Sequence, residues 1–471
     1  MTTRIYSHAE RLRVIHGVML CILLAAIDQT VVLPAIPQMA RTLHGASHLS
    51  WVVSAYLLAS TATTPIYGRL SDQLGRAKVL IPCLLEFMLA SLVCALAPNV
   101  LVLLLGRALQ GLGGGALMAI SQSAVADVVP PRERGRYQAW FASMWMLASG
   151  AGPVVGGYLT QHFSWRFIFW ANIPLGFLAL TLVLRGLKTL PIAGQRTKID
   201  VAGALLLMGS STLILIALSL GGVDLPWFSW AEAGLACLTI GGFLAFRFQQ
   251  RLTSAPLVPG GLLKRLRLVI AIGWLNTGTM FAGIFMFPLL FHNVFHESAT
   301  RTGLAMVPFL FSGTGGAYLS GQTLRRTGRV RPLLIAGLIL SSACCTALVI
   351  APTLAPVLLS GILGFSLGMI NPTTLMACQS LAQSHEIGIA TGMLLLLRSM
   401  GGAFGATLGG IALRNGTNAS LENYRLGFSF CVILALLGLL LALLGPEIRL
   451  RGDSSPATDG KATTSGLPHV E

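Results

Sequence analysis

The sequence predicts an all-α polytopic membrane protein of fourteen spans, in which two six-helix bundles flank two additional helices. Three observations predict it. Apolar residues make up 54% of the chain and charged residues 10%, with a mean hydropathy of +0.75, a composition that favours lipid over water. Runs long enough to cross a hydrocarbon core about 30 Å thick, roughly 20 helical residues, recur along the chain. The third is a repeat. The polar stretch from Gly68 to Lys78 has an echo from Gly321 to Arg331, with Gly328 following Gly75 by 253 residues. The same offset carries Gly152, Gly156 and Gly157 onto Gly405, Gly409 and Gly410, and Gly111 and Gly115 onto Gly364 and Gly368. Two copies of one helical bundle account for all three matches.

Fourteen segments qualify as spans: 14–36, 49–67, 79–97, 99–127, 136–161, 165–187, 199–221, 229–248, 266–291, 302–322, 332–351, 353–380, 387–413 and 424–444. Breaks fall at turn chemistry such as Ala97-Pro98-Asn99, Pro130-Pro131 and Ala351-Pro352. Span 1 carries Asp28 in an apolar run too long for a cleaved leader, which makes it a membrane helix. Spans 1–6 form the first copy (14–187) after a short amino-terminal segment (1–13), and spans 9–14 the second (266–444). Spans 7 and 8 (about 199–248) belong to neither copy and read as an inserted hairpin within a linker, 188–265. Segments with turn chemistry, from Pro191 to Gly194 and from Pro256 to Gly261, flank the hairpin. Residues 445–471, rich in Ser, Thr, Gly and Asp, are expected to be a disordered tail.

The formal net charge of +16 raises the question of nucleic acid, but the bases sit in short loops between apolar runs. They form neither a stripe nor a tail, which excludes a nucleic-acid partner and points to the positive-inside rule. With the amino terminus in the cytoplasm, 25 of the 32 Lys and Arg residues fall in inside segments and 5 outside, while Arg107 and Arg398 lie within spans. Both termini are therefore expected in the cytoplasm, in a multi-pass protein of the cytoplasmic membrane. The eight cysteines lie in apolar segments without disulfide or metal-ligand spacing. His292 and His296 have i,i+4 spacing, but interfacial histidines account for them without a metal. Two sequons, at Asn415 and Asn418, fit the composition of a short polar loop. No Gly-x-x-x-x-Gly-Lys-Ser/Thr occurs, so ATP is not expected as the direct driver. No nucleophile with its base is present, so neither an enzyme nor a cofactor is expected.

Ionisable residues inside spans are costly and functional by default; here they are Asp28, Glu86, Arg107 and Arg398. Asp28 and Arg107 each lie about eight residues below the outer end of their helix. At 1.5 Å per residue both sit about 12 Å deep and can pair. Glycines in spans let helix backbones approach, and Pro153 removes one intrahelical hydrogen bond beside Gly152. Trp145 and Phe281 are candidates to line an apolar cavity, with core or lipid packing as the alternative.

At this point the residues resemble the fourteen-span drug/proton antiporter family of the major facilitator superfamily. The turn after span 2 fits Gly-x-x-x-Asp-(Arg/Lys)-x-Gly-Arg-(Arg/Lys), although Gln73 and Ala77 replace two bases. Arg107-Ala108-Leu109-Gln110-Gly111-Leu112-Gly113 is similar to that superfamily's Arg-x-x-Gln-Gly-x-Gly. Gly152-Pro153-Val154-Val155-Gly156-Gly157 resembles the antiporter motif, with Ala148 where the extended form has Gly. Span 6 opens with a run from Trp165 to Gly176, and span 1 carries Asp28-Gln29-Thr30 and then Ala35-Ile36-Pro37, both similar to the fourteen-span branch. The resemblance implies the major facilitator fold, export of lipophilic small molecules against protons, and a loop of Gly68, Asp72, Gly75 and Arg76. That loop closes the cytoplasmic side, with Asp72 near the start of span 13 around Ile387. It also implies that the Gly152–Gly157 segment separates exchange from symport.

The expectation for function is a proton-coupled exporter of amphipathic, cationic or neutral small molecules, acting as a monomer, with envelope efflux partners left open. Asp28 carries the proton and Arg107 tunes it; a static structural ion pair is the alternative. Glu86 is either a second proton site or a carboxyl that snorkels. Arg398 either neutralises Glu86 or binds an anionic group. A dedicated exporter of a metabolite, siderophore or lipid, and a non-transporting membrane sensor, are the competing functions.

Overall fold

The computed structural model describes residues 8–43, 50–130, 133–186, 200–220, 229–253, 256–259, 261–297, 299–412 and 421–450. The expected tail after 450, the linker segment from Pro191 to Gly194 and both sequons lie outside the described residues. Among the described residues, fourteen long α-helices and one short one follow in order. They are α1 (His8–Val31), the short α2 (Ile36–Leu43), α3 (Ser50–Leu74), α4 (Arg76–Ala95), α5 (Val100–Val128), α6 (Arg134–His162) and α7 (Arg166–Gly186). After these come α8 (Val201–Leu220), α9 (Trp230–Leu252), α10 (Leu262–Asn293), α11 (Ala299–Thr327) and α12 (Arg331–Ile350). The last three are α13 (Pro356–Leu381), α14 (Ile387–Ala412) and α15 (Leu421–Leu444). Eleven are long and apolar enough to cross a membrane by length and composition. The three long helices that fall short, α3, α6 and α11, lie on the seam between the two helix groups, where polar residues face protein instead of lipid.

Turn chemistry sets the boundaries. Gly75 takes φ 98° between α3 and α4, a conformation glycine adopts without the Cβ penalty. Asn99 caps α5 by accepting from Val102 N at 3.0 Å, and Ser229 caps α9 by accepting from Glu232 N at 3.2 Å. The first span departs from its expected end at 36. Helix α1 stops at Val31, and a single 3₁₀ turn over Leu33–Ala35 re-aims the chain into α2. Pro34, which cannot donate to a continuing helix, explains the stop. The short helix is tied down by Trp165, just before α7: Gln38 accepts from its backbone N at 3.0 Å and Thr42 from its Nε1 at 2.9 Å.

In the first group α3 and α4 pack on α5, and α1 packs on α6 and α7; in the second α11 packs on α13, and α10 on α14 and α15. The α10–α14 contact is made by backbone alone at one point, since a Cβ on Gly405 would land on the carbonyl of Gly278. The groups meet along α3–α14 and α6–α11. Helices α8 and α9 pair with each other, and α8 also touches α3 and α14. Asp200 locks the foot of this hairpin, accepting from Gly203 N at 2.8 Å, Gln249 Nε2 at 3.2 Å and Gln250 Nε2 at 2.5 Å.

The start of α1 and the last described residues gather on one face. Arg11 of α1 lies 3.5 Å from Glu133, before α6. Residues Ile448 and Leu450 exchange backbone hydrogen bonds with the turn at Gly328 and Val330. This is the basic end of the molecule.

Candidate functional site

Asp28 and Arg107, expected at one depth, lie 2.6 Å apart, with 0% and 1% of their side chains exposed. The carboxylate is not alone with the guanidinium. Its Oδ1 accepts from Gln110 Nε2 at 2.8 Å and from Asn172 Nδ2 at 2.7 Å, while Oδ2 takes Arg107 Nη1. Gln110 lies three residues beyond Arg107, so α5 presents both to α1 from one face; Asn172 arrives from α7. Ser91 of α4 closes the ring, accepting from Gln110 at 2.8 Å and Asn172 at 3.3 Å and donating to Phe87 O at 2.8 Å. Arg107 is held from α3 as well, since its Nε donates to Val52 O at 3.1 Å and its Cζ sits 4.5 Å from the Tyr56 ring centre. A buried charge is tolerable only when paired and hydrogen-bonded, and these partners meet both conditions.

The site therefore lies inside the first helix group, reached from α1, α3, α4, α5 and α7. Sequence reasoning found its two charges but missed the amides. Gln110 and Asn172 stand in the quoted motifs, and a polar amide within a span was the signal available for each.

At the basic end, Asp72 accepts from the backbone N–H groups of Gly388 and Ile389 at 2.8 and 2.9 Å. These are orphan donors at the start of α14, where the helix dipole favours an anion. Arg76 holds Asp72 at 2.8 Å and Asp127 at 2.7 Å, and donates to Ser71 Oγ at 2.6 Å. Asp127 was not anticipated. Gly68 belongs to the same contact, because a Cβ there would strike the carbonyl of Gly388. Beyond it, Glu386 caps the turn into α14 through Gln383 and takes Arg265 of α10 at 2.8 Å. Gly135 of α6 meets Gly321 of α11, and Gln379 Nε2 donates to Gln122 O at 3.4 Å. The two groups are thus closed against each other at the basic end.

The glycine motif of α6 divides by face. Gly152 and Gly156 pack on the end of α1, against Thr30 and Val31, whereas a Cβ at Gly157 would meet nothing within 4 Å, and Pro153 is exposed. The close helix approach expected of all three glycines is made by two. Thr30 donates to Ala148 O at 2.8 Å, binding α1 to α6 two residues from Asp28. Trp145 is partly buried against the core of the first group, and Phe281 is 40% exposed beside Gly402.

Glu86 lies on α4 beside Cys83 and Tyr67, outside the Asp28 cluster. Arg398 does not meet it. Its Nη2 donates to Asn371 O and Thr374 Oγ1 of α13 instead, which removes the expectation that these two charges neutralise each other.

A sequence profile of the Major Facilitator Superfamily matches residues 18–406. The chain belongs to the major facilitator superfamily. Among relatives of this superfamily it is 30% identical over 421 residues to "Multidrug transporter protein MdtP" of Bacillus subtilis (strain 168), covering 88% of this chain and 77% of that one. It is also 30% identical over 417 residues to "MFS-type efflux pump LUC4" of a Fusarium species, covering 86% and 74%. The fold matches a crystal structure of the human organic anion transporter MFSD10 (TETRAN), with a TM-score of 0.67 at 18% identity over 92% of this chain and 99% of that one. A second match is the proton:xylose symporter XylE, with a TM-score of 0.63 at 18% identity over 94% and 98%. This major facilitator protein is a multi-pass membrane transporter of small molecules and not an enzyme.

Proposed function

We propose that this transporter is a proton-coupled antiporter of the fourteen-span drug/proton antiporter group. It exports amphipathic small molecules or drugs across the cytoplasmic membrane by alternating access, as a monomer. All fourteen long helices span the bilayer in this reading, as two six-helix bundles (14–187 and 266–444) joined by the linker 188–265 with its inserted hairpin. The basic end and both termini face the cytoplasm.

The observation that carries the proposal is the Asp28 carboxylate, fully buried yet met by Arg107, Gln110 and Asn172. Protonating Asp28 removes a charge and turns one acceptor oxygen into a donor. Arg107, Gln110 and Asn172 then lose the charged acceptor they share and lean more on Gln110 Oε1 and Ser91 Oγ, and α1, α5 and α7 readjust. Because Thr30 and the Gly152/Gly156 seat bind α1 to α6, and α6 packs on α11, the readjustment passes to the seam. Asp72 and the α14 terminus then close or release the cytoplasmic side, with Gly68, Gly75 and Arg76 shaping that latch. One charge moved through 100 mV supplies about 2.3 kcal/mol and one pH unit about 1.4 kcal/mol. Together these sustain a substrate gradient of several hundred-fold.

Purified protein in liposomes with an imposed pH gradient tests the assignment. Wild type accumulates a lipophilic dye uphill, and Asp28→Asn exchanges dye between compartments but does not concentrate it. Uphill accumulation by Asp28→Asn would remove Asp28 from the coupling step.

A further inference from the structure

The packed arginines differ in one respect. Arg107 has Asp28, and Arg76 has Asp72 and Asp127. Arg134 lies at the carbonyl end of α5, donating to Ala126 O and Val129 O. Arg398 stands eleven residues into α14, about 16 Å along the helix, and makes no ion pair among the described residues. Its guanidinium has five N–H donors. Nη2 serves Asn371 O and Thr374 Oγ1, while Nε is buried without a hydrogen-bond partner.

The surroundings are built for a polar guest. Asn276 of α10 donates to Asn371 Oδ1 at 3.3 Å, leaving its own Oδ1 buried and unpartnered. Gly273 makes room, since a Cβ there would sit 3.3 Å from Arg398 Nε. Apolar groups adjoin: Met280 Sδ lies 3.8 Å from Asn371 Nδ2, and Leu394 shares the Gly273 contact. A cation in mid-span with donors to spare, between α10, α13 and α14, is a charge whose partner comes from elsewhere. The planar guanidinium matches a carboxylate.

We infer that Arg398 binds the acidic group of an amphipathic substrate, a carboxylate or an anion of similar shape, with the apolar body against the Met280 side of the cluster. This deepens the export reading and rests on it; it replaces the expectation of a cationic or neutral substrate. An anionic lipid headgroup carries the same chemistry, so the experiment separates the two sources.

Protein in nanodiscs of zwitterionic lipid is titrated with pyrenebutyric acid and with its methyl ester, and binding is read by fluorescence. Wild type binds the acid at least tenfold more tightly than the ester. Arg398→Gln loses that preference while still binding the ester, and Arg398→Lys keeps part of it. Thr374→Asp, which supplies a carboxylate to Nη2 from within, abolishes the preference by a separate route should Arg398→Gln fail to fold. Equal wild-type affinity for acid and ester, or a preference that survives both Arg398→Gln and Thr374→Asp, overturns the inference. Loss of the preference when phosphatidylglycerol replaces the zwitterionic lipid assigns the cation to a headgroup and overturns the substrate assignment. Because no gradient is imposed on the nanodiscs, a failure of proton-driven uptake by the same protein in liposomes counts against the export reading alone.

Discussion

Replacing Asp72 with Asn should loosen the basic end by a predictable amount. The carboxylate accepts two backbone N–H groups at 2.8 and 2.9 Å from a helix terminus and pairs with Arg76 at 2.8 Å. Hydrogen bonds to a charged group are worth about 1.5–3 kcal/mol each. Asn keeps one acceptor oxygen and loses the charge, so the closed arrangement should weaken by about 2–3 kcal/mol. That shifts the closed-to-open ratio roughly 30- to 150-fold. Arg76 retains Asp127 at 2.7 Å, so the first group keeps its packing. Cys378 is a built-in reporter, buried on α13 with its Sγ 3.4 Å from Ala390 O and next to Gln379, which crosses to Gln122. The assay is the rate at which maleimide alkylates Cys378, followed by peptide mass spectrometry in detergent. Asp72→Asn should raise that rate at least tenfold, and Asp127→Asn, which leaves the Asp72 contacts in place, should raise it less. An unchanged rate in a folded Asp72→Asn protein would refute the latch argument.

Three other outcomes follow from the same contacts. Asn172→Ala strips one donor from Asp28 and leaves a buried oxygen short of a partner, costing about 1–3 kcal/mol, to be seen as a lower melting temperature without loss of membrane insertion. Gly156→Ala drives a methyl into Val31 O and should abolish folded yield, whereas Gly157→Ala meets nothing within 4 Å and should express like wild type; size-exclusion chromatography distinguishes them. Asp200→Asn weakens three hydrogen bonds at the foot of the hairpin. Hydrogen exchange should then rise in α8 and α9 and remain unchanged in α5.

The all-helical fold and the order of its long helices were legible because burial in lipid writes itself as apolar length, which eleven of those helices carry in full. Equal depth of Asp28 and Arg107 followed from helix rise alone. Rotation about the helix axis did not. The sequence does not state that Asn172 and Ser91 turn toward Asp28, that Glu86 faces Cys83 and Tyr67, or that Gly157 points away from α1. Those depend on how neighbouring helices pack, and a residue's spacing along one helix carries little of that information. The end of α1 shows the same limit: Pro34 marked a break, but the short helix after it is held by Trp165, more than a hundred residues away. Long-range partners such as Asp127 for Arg76 and Glu386 for Arg265 were likewise out of reach.

Helix α8 leans on both α3 and α14, and Thr407 of α14 donates to Leu218 O of α8 at 2.8 Å. A strut laid across one side of the seam breaks the symmetry that duplication would otherwise give. Under the proposed alternating access, α8 would stay against this flank as α3 and α14 part and would screen it from the acyl chains. On the same proposal, a hydrophobic cargo arriving sideways from the bilayer would enter along the α6–α11 flank, which no such strut covers among the described residues.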